Sequence, residues 1–127
     1  MKKLVLLVGS ISILTLLGCS KPDHIITIKS PVDGIFYTAE IYDGSGPVDP
    51  DFTKVYANLK HSGQSDRKLV MDGGYLDSSQ IVWVGPRDVM LCSGSGPIGS
   101  FRSEVTLVAG GYSETIHNHL KEHCATR

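Results

Sequence analysis

The sequence has little of what enzymes need. No Gly-x-Ser-x-Gly presents a serine nucleophile, and no Gly-Lys-Ser or Gly-Lys-Thr follows its glycines to cradle a phosphate. The only acidic residue within an apolar run is Glu40, so no carboxylate pair for acid–base work is legible. Glu40 itself falls on the polar side of an alternating segment, where solvent would account for it. The 12 lysines and arginines against 13 acidic residues form no basic patch or stripe, which argues against nucleic acid. None of the 3 cysteines forms a Cys-x-x-Cys pair, so redox chemistry is not indicated. There is no βαβ rhythm, and beyond Leu17 no apolar run approaches membrane-spanning length. These absences leave a binding role, with no catalytic residue and no cofactor expected.

The amino-terminal segment is more informative. Lys2 and Lys3 form a positive region, followed by an apolar run from Leu4 to Leu17, then Gly18 and Cys19. That run is long enough to engage export machinery and shorter than a comfortable transmembrane helix of about 20 residues. Leu16-Leu17-Gly18-Cys19 resembles the lipobox of bacterial lipoproteins. The resemblance implies cleavage before Cys19, diacylation of its sulfur and acylation of the new amino terminus. Each acyl methylene buried in a membrane contributes roughly 0.8 kcal/mol to such an anchor. Ser20 follows where an aspartate would signal retention in the inner membrane, so the family pattern implies the outer membrane, facing the periplasm. The expected organisation is a signal peptide over residues 1–18, a lipidated end and short polar stem over 19–23, and one β-rich periplasmic domain over 24–127.

Without its leader the chain is roughly 110 residues, the size of one small domain. Losing Lys2 and Lys3 makes the net charge of −1 two units more negative. Cys92 and Cys124 then form an even pair in an exported domain, which predicts a disulfide. Closing a loop of about 33 residues, it would contribute roughly 3–4 kcal/mol in the chain-entropy picture.

Period-two alternation predicts strands over His24–Lys29, Ile35–Tyr42, Thr53–Leu59, Lys68–Met71, Gln80–Val84, Val89–Cys92 and Phe101–Ala109. Ser30 to Gly34 predicts a turn with Gly34 at positive φ. His61 to Arg67 reads as a polar turn region and Ser93 to Ser100 as a glycine-serine loop. The last segment reads as a strand to about Leu120, then a short helical or irregular tail. The expected fold is all-β, a small antiparallel sandwich or meander of about seven to eight strands. The Ser-Pro-x-x-Gly turn, the Ile81-Val82-Trp83 strand, and the segments ending at Cys92 and Cys124 are similar to small bacterial envelope lipoproteins of unknown function. That resemblance implies a fold and no activity.

Three groups of residues are candidate sites. His117, His119 and His123 lie close in sequence, and neutral imidazoles are good zinc or copper ligands. On a strand His117 and His119 would project together; on a helix His119 and His123 would. They carry the alternative reading of a metal-binding periplasmic lipoprotein. Asp43, Asp49 and Asp51 form an acidic loop, a candidate contact for a cationic partner, whose spacing fits no EF-hand. Phe36, Tyr42 and Tyr56 fall opposite the core-facing residues of their strands, an exposed aromatic patch suited to a partner, with Tyr56 a candidate contact after the acidic loop. The expected function is therefore a lipid-anchored, non-catalytic binding module of the envelope, of the accessory, inhibitor or immunity type. Its partners would be the membrane, through the anchor, and an envelope protein.

Overall fold

A computed structural model of the chain describes residues 21–42, 52–74, 76, 78–93 and 98–122. Cys19, Asp43, Asp49, Asp51, His123, Cys124 and the leader lie outside the described residues. Among the described residues nine strands form two sheets: β1 (His24–Lys29), β2 (Ile35–Tyr42), β3 (Phe52–His61), β4 (Gln64–Gly73), β5 (Ile81–Gly85), β6 (Asp88–Ser93), β7 (Ile98–Phe101), β8 (Glu104–Ala109) and β9 (Tyr112–Glu122). One sheet has the order β1-β2-β3-β4-β7 and the other β5-β6-β9-β8. The fold is the expected all-β sandwich, with slightly more strands than alternation alone separates.

The first four strands form an antiparallel meander, with Ile35 opposite Leu59 and Val55 opposite Met71. Between β1 and β2 the chain turns at Gly34, which has the expected positive φ of 88°. A Cβ there would lie 2.6 Å from the Lys60 carbonyl oxygen, so the position suits only glycine. The region 61–67 is not a long polar turn. Ser62 and Gly63, at φ 53° and 77°, make the whole reversal, and β4 begins at Gln64. Two successive positive φ angles match the right-handed twist of the flanking strands. Gln64 and Ser65 are exposed, Asp66 opposite Leu59 reaches the Val108 N–H of the facing sheet, and Arg67 opposite Asn58 lies on the outer face.

Past β4 a single 3-10 turn, Ser78–Gln80, leads into the β5–β6 hairpin of the second sheet. The chain then returns to the first sheet as β7, beside β4. Ile98–Phe101 is thus a strand where a glycine-serine loop is expected. The stretch 101–109 is not one strand. It breaks at Arg102 and Ser103, where the Arg102 N–H donates to the Val70 carbonyl at 2.8 Å and the chain changes sheets. β8 then takes the edge of the second sheet, and β9 inserts between β8 and β6. β9 turns back from β8 as an antiparallel hairpin and thereby runs parallel to β6, so the second sheet is mixed instead of antiparallel. β9 remains a strand to Glu122, without a helical turn before it.

The inner faces supply the core: Ile35, Tyr37, Val55, Leu59, Met71 and Leu76 against Ile81, Val89, Leu91, Val105, Leu107 and Ile116. Each large aliphatic side chain fully buried there stabilises the fold by roughly 1.5–3 kcal/mol. At the centre Tyr37 meets Trp83 edge-on, ring centroids 5.2 Å apart at 75°. The Tyr37 hydroxyl donates to Asn118 Oδ1, and Asn118 Nδ2 donates to the Arg102 carbonyl at 3.1 Å. Burial raises the Tyr37 phenol well above its ordinary value, and the Asn118 bond offsets part of this.

Candidate functional site

The outer face of the five-stranded sheet carries the densest cluster of aromatic and charged side chains. Alternation places Phe36, Thr38, Glu40 and Tyr42 of β2 there, opposite the buried Ile35, Tyr37, Ala39 and Ile41. β3 adds Phe52, Lys54, Tyr56 and Asn58, and β4 adds Arg67. Tyr42 and Phe52 face each other across the β2–β3 pair, stacked 4.7 Å apart and 6° from parallel. Lys54 Nζ lies 5.8 Å from the Tyr42 ring centroid, at the outer reach of a cation–π contact. Arg67 lies flat over Tyr56, its guanidinium carbon 3.6 Å from the ring centroid, and donates to Glu40 Oε2.

Glu40 is therefore not a solvated residue. Its side chain is 15% exposed, covered by Arg67 and hydrogen-bonded by the Tyr42 hydroxyl at 3.0 Å. Desolvation, with Glu40 adding to it, pushes the Tyr42 phenol up to about 12. Asn58 holds the face from beneath: its amide donates to Thr38 Oγ1 at 3.1 Å and to the Phe36 and Tyr56 carbonyls at 3.3 Å. The arrangement can present flat aromatic surface and pre-oriented charges to a partner, with few rotamers left to freeze.

Of the residues expected here, Tyr56 lies at the centre, half-buried under Arg67, and Phe36 and Tyr42 share its face. The aspartates lie outside the described residues, but the segment that holds them begins after Tyr42 and ends before Phe52. Lys54, Glu40 and Arg67 were missed because the sequence spaces them far apart. The signal was present in the two-residue turn at Ser62-Gly63 and in the parity of β2. Once these set the register, Glu40 falls opposite Lys54 and Asn58 opposite Arg67.

The second sheet's outer face differs. His117 and His119 project from it together, as a strand requires, with side chains 51% and 56% exposed. His117 Nδ1 is 3.6 Å from Glu104 Oε2, and His119 Nε2 is 3.3 Å from Asp88 Oδ1. Among the described residues no group of three or more His, Cys, Asp or Glu is arranged to hold a metal ion. A serine–histidine contact does occur, Ser62 Oγ to His61 Nδ1 at 3.0 Å. It stands at a hairpin tip, where Ser62 is exposed and the His61 ring stacks on Tyr112 at 3.8 Å. A shallow depression of about 290 Å³ lies at the β1–β2 turn, between Lys29, Val32, Asp33 and Phe36. Ser30 beside it is bonded to its own turn through the Val32 N–H at 2.7 Å.

Cys92 is disulfide-bonded. Its partner lies outside the described residues. Parallel pairing sets Cys92 beside Lys121, which precedes Cys124 by three positions in the chain.

Fold and site together define a small mixed-sheet β-sandwich with an aromatic, charge-braced outer face. No family model, curated protein or solved structure matches this chain.

Proposed function

We propose that the protein is a lipid-anchored, non-catalytic binding module of the bacterial cell envelope, held at the outer membrane through Cys19 and facing the periplasm. It docks a protein partner on the outer face of the five-stranded sheet. The lipobox-like leader supports the anchor, and the Cys92 disulfide supports an oxidising compartment. The register of β6 and β9 favours Cys124 as the partner of Cys92. The observation that carries the binding role is the Tyr42–Phe52 stack. Phe52 is 38% exposed, and the pair brackets the acidic segment containing Asp43, Asp49 and Asp51. Tyrosine and arginine dominate the energetics of protein interfaces, and here Tyr42, Tyr56 and Arg67 are already braced in place. Contact through the aspartates would select a cationic partner.

The test is photo-crosslinking in cells from a benzophenone side chain at position 52 of the full-length protein. One discrete adduct is expected, weakened by Cys19→Ala and lost on combining Tyr42→Ala with Arg67→Ala. A matching probe at Val108, on the other sheet, should give none. No adduct at position 52, or one that survives replacement of Tyr42 and Arg67, would sink this reading.

A further inference from the structure

We propose that β1 is a self-association edge: two copies of the chain pair antiparallel through β1, about a twofold axis at Thr27. The proposal does not depend on the anchor or on the outer-face partner.

β1 is the outermost strand of its sheet, and among the described residues only β2 pairs with it. The hydrogen-bonding phase of that pair is set at its end, where the Ser30 N–H donates to the Ile35 carbonyl at 3.1 Å. Alternation then turns the backbone groups of Ile26 and Ile28 toward β2. Those of Ile25, Thr27 and Lys29 point away from the sheet. Between Ile25 and Lys29 the strand has no proline and no register shift, devices that commonly blunt an edge; an irregularity lies before it, where the Asp23 N–H donates to the Ile41 carbonyl at 2.8 Å. Ile25 is 60% exposed, and its only charged neighbour along this free row is Lys29 at the far end.

Of the other edges, β7 is only four residues long, β8 has its outward Val108 N–H taken by Asp66 Oδ2, and β5 is blunted. Its pairing with β6 shifts register between Trp83 and Gly85, and Pro86 follows at once. The contrast singles out β1.

Self-complementarity identifies the occupant. Outward backbone groups can bond only to outward groups, so Ile25, Thr27 and Lys29 must meet the same residues of the other strand. Centring on Thr27 pairs Thr27 with its own copy and Ile25 with the second copy's Lys29. All the free groups between 25 and 29 are then satisfied. The same register sets Ile26 beside the second copy's Ile28 on the inner face, and these two residues already pack against the core. Each is only half-buried in the single chain, and the pairing covers both. The two lysines stand at opposite ends of the joint, without like-charge contact. Centring on Lys29 instead would set lysine against lysine, and centring on Ile25 would leave Lys29 unpaired. The product joins two five-stranded sheets into one continuous sheet, a standard mode of strand addition.

The test is cysteine crosslinking of the full-length chain purified in detergent, with the unsubstituted protein as baseline for its own cysteines. Thr27→Cys alone should give a linked dimer with a short bismaleimide. Ile25→Cys alone should stay at baseline, because Lys29 faces it; Ile25→Cys with Lys29→Cys should link. Ile25→Lys should weaken dimerisation about tenfold, by sedimentation of the same detergent-solubilised chain, and Ile25→Glu should not. Near-ultraviolet circular dichroism of Trp83 confirms that each variant is folded. Linking from Ile25→Cys as strong as from Thr27→Cys would mean unspecific collision and overturn the register. No dimer from a folded Thr27→Cys would overturn the proposal.

Discussion

The two long sides of this sandwich are built differently. On one side β4 and β8 are laced together across the gap between the sheets. Asp66 Oδ2 accepts the Val108 N–H at 2.8 Å, and Gln64 Oε1 accepts the Gly110 N–H at 3.1 Å. The His61 ring stacks on Tyr112. Further along, Asn118 grips the Arg102 carbonyl where the chain changes sheets. On the other side, among the described residues, β1 leaves the outward backbone groups of Ile25, Thr27 and Lys29 without a strand partner. The outward N–H of Val108 in β8, and that of Gly110 just past it, are satisfied by side chains of the facing sheet, whereas the outward groups of β1 await another strand. A small sandwich can therefore close one side internally and keep the other for assembly.

The strongest way to break the laced side is Asn118→Leu. It strands the Tyr37 hydroxyl in the core and releases the part-buried Arg102 carbonyl, and losing these two bonds costs about 3 kcal/mol in total. Urea unfolding should show that loss with little change in slope. The core and the outer face together give an alkaline signature. Folding raises the phenols of Tyr37 and Tyr42, the latter from 10.0 to about 12. Their contribution is complete below the unfolded value near 10 and is lost as pH rises through the folded values. Stability followed from pH 9 upward should fall, and fall less in Tyr42→Phe.

Next in size is Gly110→Ala. A Cβ at this position, with φ at 56°, would sit 2.5 Å from the His61 carbonyl oxygen and 2.9 Å from its ring, forcing the two hairpin tips apart. About 2 kcal/mol is expected. Gly111→Ala should cost only about 1 kcal/mol, because its φ of 82° is strained for alanine but its surroundings are open. Equal losses in thermal unfolding would mean that the tips do not bear on each other. Asp66→Ala should cost about 1 kcal/mol, discounted for its exposure to solvent. The Val108 N–H holds the Asp66 carboxyl below its ordinary value of 3.8. Its contribution is thus present above that value and disappears as pH falls through the lower folded one. Asp66→Asn should keep most of the bond and flatten this acid dependence.

The sequence made the strands legible and the sheets much less so. Alternation located the buried faces of β2 and β3 correctly, since Ile35, Tyr37, Val55 and Leu59 are all core residues. It could not show the change of sheet at Arg102. Phe101, Val105, Leu107 and Ala109 share one parity, and inward residues look alike in either sheet. The parallel pairing of β6 with β9 was hidden for the same reason: period two carries no partner and no direction. The aromatic face was half legible. Its tyrosines announce themselves, but Glu40, Lys54 and Arg67 become one cluster only through register, and on sequence alone each is an ordinary surface charge.

The finest test of the two sides uses proline, which removes one backbone N–H and little else at an exposed strand position. Val108 is 57% exposed, so its side chain contributes little burial, but its N–H is the donor to Asp66. Thr27 is also exposed, and its N–H points to solvent in the single chain. Both substitutions carry a similar backbone strain from fixing φ near −65°. The difference between them therefore isolates the bond across the laced side. At concentrations low enough to keep the chain monomeric, Val108→Pro should lower stability by about 1 kcal/mol more than Thr27→Pro. Thr27→Pro should be the mildest change of the set. Urea unfolding of the two variants side by side measures that gap. If Thr27→Pro proved as damaging as Val108→Pro, the N–H of Thr27 would already have a partner within its own chain, and the contrast between a laced side and an open one would fail.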